Sequence, residues 1–526
     1  MINFFKKNKP KPPENKIPSD NIEKTPVTES QDPSLQDVTR LDYQDHAAYT
    51  AVKKDYSARG GRLYVLIEPE LSESEKEIFA LLRKMLINEL SVDLREIKTR
   101  EEAAYRLKNK VIHLVRKHKI KISDPRLLKI LYYIIRDYAH LGKIEPLMHD
   151  PMVEEISCDG TNIPLYIWHR EHGSLPTNIV FENEIELENY VRRIARLTGK
   201  QISNVDPVLD AALPDGGRVN LTLGSEITKR GSTFTIRFLR KDSLSIIDLI
   251  KYNTLSVEMA AYLWILIERK RTMLVVGGES SGKTTTLSAI TSFISPSLKV
   301  VTIEDTPELK LRHENWIPAV TRQTYSGSPR GEITQFDLLR SAMRQRPDVI
   351  IVKEAKGKEA HVLFQAMATG HGGFSSIHAD SIEMAIRILN SSPMFVQKDL
   401  IVNTLDVILY QIKVKIGNDT VRRIFQISEI VRLDSASNQI LLDDVFAWDP
   451  NTDKYNFSGR SIVFEKIAAK MIGMSQDQVI LEFEKRKKIL QWMVKNDVHS
   501  YDEVNDVIME YYKDPEKFYE KNRILN

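Results

Sequence analysis

The chain has 526 residues, 42% of them hydrophobic, which is enough for about two to four domains of ~150 residues with apolar cores. Its formal net charge of +3 is small for this length, so overall charge does not indicate a nucleic-acid binder. Cys158 is the single cysteine, which excludes an intramolecular disulfide, and no apolar run approaches the roughly 18 residues of a membrane span.

Residues 1–57 are polar and proline-bearing, with few apolar residues and no periodicity. This composition predicts a disordered leader, because such a segment cannot bury enough apolar surface to offset its conformational entropy. The opening residues also lack the apolar core of a signal peptide, which favours a cytoplasmic protein.

Four further regions are predicted from changes in the apolar pattern. They are a helical N-terminal region (58–143), an α+β domain (144–241), a domain of alternating strands and helices (242–450) and a helical C-terminal region (451–526). Alternating strands and helices are typical of a parallel sheet with crossover helices, so the largest domain belongs to the α/β class. In the last region, the expected helix caps are Ser475 with Gln478 and Ser500 with Glu503.

The most informative segment joins an apolar strand to a helix through a glycine loop. The run Met273–Val276 is followed by the letters GGESSGKT and then by a helical pattern. This is the order of a P-loop, in which backbone N–H groups and the positive end of the helix hold a polyphosphate. Lys283 is expected to contact the β- and γ-phosphates of ATP, and the Thr284 hydroxyl to ligate Mg²⁺. The expected nucleotide-binding residues are Gly277, Gly278, Glu279, Ser280, Ser281, Gly282, Lys283, Thr284 and Thr285.

Four apolar runs of the α/β region end in polar groups suited to ATP chemistry. They are Met273–Val276 with the P-loop, Val300–Ile303 with Glu304 and Asp305, Val349–Val352 with Glu354, and Phe374–Ile377 with His378. Ligands of an open parallel sheet bind beyond the carboxyl ends of its strands. If the four strands are parallel, these groups lie at one edge of the sheet.

These polar groups have candidate catalytic roles and simpler alternatives. Glu354 is the first candidate for positioning the attacking water, Glu304 is its competitor, and Asp305 is expected to hold Mg²⁺ through water. His378 would hydrogen-bond the γ-phosphate or relay its presence to the next segment. Alternatively, Glu304 and Asp305 cap the following loop, Glu354 is an ordinary acid at a strand end, and His378 is a buried histidine with satisfied hydrogen bonds.

Four segments, in order, carry a resemblance to the secretion and type IV filament ATPases (the GspE/PulE and VirB11-like superfamily). They are GGESSGKTTTL for the Walker A motif, VTIEDTPELKL for the Asp box, LLRSAMRQRPDVIIVKEAKG for the Walker B region and ATGHGGFSSIHADS for the His box. Upstream, DPVLDAALPDGGRVNLTL and FTIRFLR resemble the N-terminal domain of the family, which is PAS-like. The resemblance covers roughly residues 60–520 and looks closest to the archaeal branch, with the archaellum motor and pilus-assembly ATPases.

The resemblance implies a fold, an assembly and a function. The fold is a RecA-like P-loop NTPase domain with an α+β N-terminal domain and helical accessory regions, and ATP lies between the two domains. The assembly is a homo-hexameric ring at the inner face of the cell membrane. The implied function is Mg²⁺-dependent ATP hydrolysis that drives assembly or rotation of a surface filament, or secretion, through an integral membrane platform protein.

The resemblance also implies residue roles. Lys283 and Thr284 become nucleotide and Mg²⁺ contacts, Glu304 the Asp-box acid, Glu354 the Walker B acid and His378 the His-box histidine. Arginines of the N-terminal domain would reach the phosphates, and one more arginine would contact a neighbouring subunit; these are Arg218, Arg237 and Arg240 for the phosphates and Arg322 for the subunit contact. The alternative for the first three is that they are surface arginines on strands.

One departure from the family pattern concerns the end of the Walker B region. The family usually has Gly-Glu-hydrophobic-Arg-Gly, whereas residues 353–357 read KEAKG. Lysine does not replace the bidentate geometry of arginine, and Lys353 could neutralise Glu354. The departure favours slow or partner-regulated turnover.

Two other functions remain open at this point. A RecA-like nucleic-acid translocase would need a basic groove with aromatic residues, and the basic stretches of this chain are not interleaved with the ATPase segments. No nucleic-acid partner is therefore expected. The second alternative is a nucleotide-binding scaffold with weak catalysis, which the two lysines beside Glu354 motivate.

Overall fold

The computed structural model describes residues 35–43, 46–55, 61–89, 100–214, 217–238, 243–322, 331–417, 419–470 and 475–524. Contacts divide the chain into two compact units, Met1–Phe238 and Leu239–Asn526. Within the described ranges, none of the helices combines the length and apolar character needed to cross a bilayer.

The N-terminal unit contains nine strands and four α-helices among its described residues. In chain order they are β1 (Leu35–Tyr43), β2 (His46–Lys54), β3 (Arg62–Ile67), α1 (Glu73–Glu89), α2 (Arg100–Lys117), α3 (Asp124–Tyr138), β4 (Val153–Cys158), β5 (Pro164–His169), β6 (Gly173–Val180), α4 (Glu184–Leu197), β7 (Val208–Ala212), β8 (Arg218–Thr222) and β9 (Thr233–Arg237). Two short 3-10 helices, Gly142–Ile144 and Pro146–His149, connect α3 to β4. The strands form one sheet in the order β1-β2-β3-β6-β5-β4-β9-β8-β7.

The prediction of a disordered leader over 1–57 is wrong for β1 and β2, while residues 1–34 lie outside the described residues. The two strands pair with each other, and β2 also pairs with β3 in a register that sets Tyr49 opposite Ile67. Thr50 is buried and donates a 2.6 Å hydrogen bond to the Asp150 carboxylate, 100 residues away. Pairing with neighbouring strands and the hydrogen bond to Asp150 stabilise this segment, and its own composition gives no sign of either.

Two layers of helix complete the N-terminal unit. Helices α1, α2 and α3 share an apolar core that includes Leu82, Val111 and Ile134. Helix α4 begins at the cap Asn183, whose side chain accepts a hydrogen bond from the Ile185 N–H. Its buried face packs against β8 and β9. Helices α2 and α3 lie within 100–138, and strands with one helix occupy 153–237.

The C-terminal unit alternates strands and helices. Its elements are α5 (Ile246–Lys251), α6 (Val257–Glu268), β10 (Met273–Gly277), α7 (Lys283–Ile290), β11 (Val300–Glu304), β12 (Trp316–Val320), α8 (Gln335–Ala342), β13 (Val349–Val352), α9 (Glu359–Ala368), β14 (Gly372–His378), α10 (Ile382–Asn390), α11 (Lys398–Thr404), β15 (Val407–Ile416), β16 (Asp419–Asp434), β17 (Gln439–Asp449), β18 (Lys454–Phe457), α12 (Ile462–Lys470), α13 (Gln476–Lys495), α14 (Tyr501–Lys513) and α15 (Pro515–Asn522). Short 3-10 turns, Thr291–Phe293 and Met343–Gln345, extend α7 and α8.

One nine-stranded sheet organises this unit, in the order β12-β11-β13-β14-β10-β15-β16-β17-β18. The first six strands are parallel and the last three continue antiparallel. Alternate residues of β10 enter two different apolar cores: Met273 and Val275 face one, Leu274 and Val276 the other. Both faces of the sheet are therefore buried, which explains why its central strands are continuous apolar runs. The α/β fold class predicted from the sequence is confirmed.

The predicted helical C-terminal region needs one correction, because Lys454–Phe457 form the edge strand β18. Phe457 stacks on Phe446 of the neighbouring strand, with ring centroids 4.8 Å apart, and only the folded sheet brings these rings together. The expected helix caps at Ser475 and Ser500 are confirmed, since each side chain accepts a backbone N–H three residues later. The helices after β18 contribute Val463 and other residues to the apolar core that also holds β10.

Candidate nucleotide site

The P-loop connects the buried strand β10 to helix α7. Two of its residues have left-handed backbone conformations, Ser280 with φ of 56° and Gly282 with φ of 97°. Gly282 is the N-cap of α7, so the free N–H groups of the first helical turn adjoin the loop. This chain path is one that concentrates backbone N–H donors around an anion.

Lys283 lies within the curve of the loop. Its ammonium donates hydrogen bonds to the carbonyl oxygens of Gly277 and Gly278, at 2.8 and 2.7 Å. Burial lowers the pKa of this ammonium, and the opposing charge of Glu354 is the largest influence that raises it. The lysine is thus held at the loop with a carboxylate of the sheet edge close enough to affect its titration.

The glycines at both ends of the loop permit close contact with strand β15. A Cβ at Gly277 would overlap the carbonyl oxygen of Gln411 and come 2.6 Å from Ser281 Oγ. A Cβ at Gly282 would lie 2.9 Å from Gln411 Nε2. The Gln411 side chain is buried and accepts a 2.8 Å hydrogen bond from Thr286 Oγ1 in α7. Gln411 therefore contacts both ends of the loop and the helix α7 that follows it.

The strands that carry the candidate acids are parallel, as the shared-edge prediction requires. β10 pairs with β14 so that Gly277 lies opposite His378. β13 pairs with β14 on one side and with β11 on the other, with Val352 opposite Ile303. The carboxyl ends of all four strands therefore point to one edge of the sheet, and the prediction of a common edge is confirmed.

Glu304 ends β11 with a carboxylate that is 1% exposed. Its Oε1 accepts hydrogen bonds from the backbone N–H groups of Glu308 and Leu309, at 3.0 and 3.1 Å. Burial raises the pKa of Glu304 to about 7, although these N–H groups and Lys353 favour the ionised form. These contacts are the ones expected if Glu304 caps the loop after β11, the alternative to a catalytic role.

Glu354 and Asp305 lie near a shared lysine. Lys356 Nζ is 3.0 Å from Glu354 Oε2 and 3.7 Å from Asp305 Oδ2. Lys353, which the sequence suggested as a partner of Glu354, instead forms a 2.6 Å ion pair with Glu308. Both lysines follow the end of β13 at Val352, where the regular alternation of a strand no longer determines which way a side chain points. Lys356 is the lysine that pairs with Glu354.

His378 is exposed, so the alternative of a buried histidine is wrong. It ends β14 beside the first P-loop residue, and the next N–H, that of Ala379, donates to the Gly277 carbonyl at 3.2 Å. Asp380 follows, and its Oδ1 would be 3.2 Å from a Cβ at Gly278. The imidazole therefore stands at the rim of the loop with access to solvent.

The residues present suit a nucleotide with Mg²⁺. The loop offers backbone N–H donors and an ammonium for phosphates, and Thr284, Asp305 and Glu354 offer oxygen atoms, the ligands that Mg²⁺ prefers. Gly277, at the buried start of the loop, has no room for a side chain, because a Cβ there would clash with the backbone of Gln411.

The arginines proposed for the phosphates belong to the N-terminal unit. Arg218 and Arg237 lie directly opposite each other on β8 and β9. Arg218 contacts Asp210 at 2.5 Å and Arg237 contacts Glu155 at 2.9 Å, and both side chains are largely exposed. Arg240 falls outside the described residues. The structure thus brings two of the three predicted arginines together on one face of one sheet.

Arg322, predicted for a subunit contact, is exposed in the C-terminal unit, where its Nε donates to the Gly331 carbonyl at 2.7 Å. It lines a cavity of about 260 Å³ together with Asp305 and Lys356.

Sequence reasoning missed two residues of strands β15 and β16 that contact the loop. They are Gln411, described above, and Arg422, whose Nε donates to the Ser280 carbonyl at 3.3 Å. Gln411 interrupts the apolar run that begins at Val407. A polar residue directly after an apolar run is the available indication, as it is for the other four strands.

Comparison with known proteins identifies the family of the chain. The family described as "Type II/IV secretion system protein" matches residues 137–512. An uncharacterized protein of Methanocaldococcus jannaschii is 36% identical over 475 residues, covering 86% of this chain and 85% of that protein. A putative conjugal transfer protein of Mycobacterium tuberculosis is 29% identical over 273 residues, covering 49% of this chain and 75% of its own.

Among solved structures, the VirB11 ATPase of the Brucella suis type IV secretion system, crystallised with sulphate, is 24% identical. It matches 54% of this chain and 93% of its own, with a TM-score of 0.28. The family match covers most of the chain and includes the P-loop and the three strand ends described above. The chain belongs to the type II/IV secretion system protein family.

Proposed function

We propose that this chain is an ATP-hydrolysing motor that powers a surface filament or a secretion machine. The observation that carries the proposal is the common sheet edge, where the P-loop, Glu354 and His378 end three neighbouring parallel strands. ATP hydrolysis needs a gripped polyphosphate, a positioned water and charge compensation, and this edge has groups for each.

The roles follow from the chemistry of the residues. The loop N–H groups and Lys283 would hold the phosphates, and Thr284 would ligate Mg²⁺, which supplies charge compensation when bound. Glu354, partly exposed, would orient the attacking water, while Asp305 would hold Mg²⁺ through water. Glu304, whose carboxylate is occupied by two backbone donors, would shape the loop beside these groups instead of contacting water.

A ring of six subunits is part of the proposal. Arg218 and Arg237 present two largely exposed guanidinium groups directly across a strand pair, and each is paired with one carboxylate of its own unit. Each would add positive charge at the phosphates of a nucleotide. Arg322, at the mouth of the cavity near Asp305, would contact a neighbouring subunit. Sedimentation with a non-hydrolysable ATP analogue and Mg²⁺ tests the ring, and a persistent monomer at micromolar concentration contradicts it.

The proposed partner is an integral membrane platform protein, so the motor would work at the inner face of the cell membrane. Family membership supports this assignment. A DNA-binding assay across a salt series separates this assignment from a nucleic-acid translocase, because DNA-stimulated hydrolysis would favour the translocase.

The test of the proposed function compares Lys283→Ala with Lys310→Ala, an exposed lysine of the same unit. Lys283→Ala should abolish productive ATP binding and phosphate release while the far-ultraviolet circular dichroism spectrum stays the same. Lys310→Ala should retain both. Unchanged affinity and turnover in Lys283→Ala would refute the site.

A weakly catalytic scaffold is the second candidate, and the 3.0 Å ion pair of Lys356 with Glu354 favours it. An ammonium at this distance competes with water for the carboxylate. Phosphate release by the unaltered protein at the background level, with ATP binding intact, would support the scaffold over the motor.

A further inference from the structure

The hairpin formed by β15 and β16 extends past the end of the P-loop strand. β10 pairs with β15 only as far as Gly277, which lies opposite Gln411. β15 continues to Ile416, where it pairs with Asp419 of β16. The outer part of the hairpin therefore stands beyond the carboxyl end of β10, at the same edge of the sheet as the P-loop.

One face of this hairpin is turned toward the loop. The Gln411 side chain approaches Gly282 and accepts a hydrogen bond from Thr286, so its face of β15 is the one that meets the loop and α7. Side chains of a strand alternate between its two faces, which places Lys413 and Lys415 on the face of Gln411. Both lysines are exposed.

Arg422 adds a third positive charge to this face. It lies directly opposite Lys413 on the neighbouring strand, and its Nε donates to the Ser280 carbonyl at 3.3 Å. We call Lys413, Lys415 and Arg422 the basic hairpin face, and three positive charges on one face of the hairpin suit an anion.

The order of the strands places this face on the opposite side of β10 from the candidate catalytic acids. The strands that carry Glu354 and Asp305 lie on one side of β10, and the hairpin lies on the other. A γ-phosphate that reacts near Glu354 leaves the rest of the polyphosphate free to extend toward the hairpin. Glu279, which precedes Ser280 in the loop, is a carboxylate of the loop and not of the hairpin.

We propose that Arg422, supported by the two lysines of the basic hairpin face, binds the α- and β-phosphates of the nucleotide from the side opposite the catalytic acids. The proposal rests on the proposed function, since it names a further contact to the same substrate. The chemical class it recognises is the diphosphate common to ATP and ADP, and its guanidinium matches phosphate oxygens in a bidentate manner.

The test measures equilibrium binding of fluorescent ATP and ADP analogues, with Mg²⁺, to Arg422→Gln, Arg422→Lys and Arg432→Gln. Glutamine keeps an N–H donor for the Ser280 carbonyl but removes the positive charge, so a loss of nucleotide affinity in Arg422→Gln reports the contribution of that charge. Arg432 is an exposed arginine at the other end of the same strand and serves as the matched control.

Arg422→Gln should weaken ATP and ADP binding equally, by about tenfold or more, which is the size of a charge-assisted hydrogen bond. Arg422→Lys should recover part of the affinity, and Arg432→Gln should match the unaltered protein. Affinity of Arg422→Gln within about twofold of the unaltered protein, a loss confined to ATP, or an equal loss in the control would overturn the assignment. Failure of the unaltered protein to bind either analogue would instead refute the proposed function.

Discussion

Lys356 places its ammonium 3.0 Å from the carboxylate of Glu354, directly after strand β13. The same ammonium is 3.7 Å from Asp305 at the end of β11. One lysine thus lies between the two acids proposed to position water and Mg²⁺. Lysine presents one compact charge to both acids and lacks the rigid bidentate geometry of an arginine.

Lys356→Ala is expected to raise the rate of phosphate release about two- to fivefold, because the variant has no ammonium group to compete with water for the Glu354 carboxylate. The effect is modest because the Lys356 side chain is 59% exposed and solvent screens the ion pair. Steady-state phosphate release at saturating ATP measures it, with the exposed neighbour Lys358→Ala as control. A fall in the rate would show that the lysine assists the reaction.

Glu304 is expected to make stability depend on pH. Its pKa is raised from 4.5 to about 7 in the folded protein, so between these values the folded state binds more protons than the unfolded state. The free energy of unfolding should therefore fall as pH rises from 4.5 to about 7, by on the order of 1–3 kcal/mol, and should level off above that.

Glu304→Gln should remove this contribution, since glutamine still accepts the two backbone hydrogen bonds without ionising. Urea unfolding at pH 5, 6, 7 and 8 measures the difference from the unaltered protein. Glu314→Gln, an exposed acid on the loop after Glu304, is the control and should leave the slope unchanged. Parallel pH profiles for Glu304→Gln and the unaltered protein would contradict the raised pKa.

Glu429 is expected to hold the C-terminal helices on the sheet. This fully buried carboxylate accepts hydrogen bonds from Tyr262 at 2.6 Å, from Ser461, and from the first N–H groups of α12. Glu429→Ala would leave these donors unpaired, and the free energy of unfolding should fall by about 2–4 kcal/mol.

Thermal unfolding of Glu429→Ala measures the loss, with Glu465→Ala, an exposed acid of α12, as the control. A single transition shifted to lower temperature is expected, because α12 shares the apolar core of β10. Two separate transitions would show that the helices after β18 form a unit of their own.

The sequence was sufficient where the information is local. Apolar runs, the glycine loop and the polar residues after each run predict the parallel sheet and its functional edge, because strand ends of a parallel sheet must share a side. The caps at Ser475 and Ser500 were also predictable, since each depends on residues three positions apart.

Long-range contacts account for the rest. The polar composition of β1 and β2 gives no sign that they form strands, and Thr50 reaches its hydrogen-bond partner Asp150, 100 residues away, only in the folded unit. The sequence suggests the adjacent Lys353 as the partner of Glu354, whereas Lys353 pairs with Glu308 and Lys356 pairs with Glu354 in the turn after β13. Spacing alone does not determine such pairings.

The most direct test of the account measures ATP binding and phosphate release together in Glu354→Gln. Glutamine keeps the size of the side chain but removes the charge that would orient water, so ATP affinity should stay close to that of the unaltered protein. Phosphate release should fall at least about a hundredfold, within the range expected for loss of a general base. Equal turnover in Glu354→Gln and the unaltered protein would contradict the central claim that this sheet edge hydrolyses ATP.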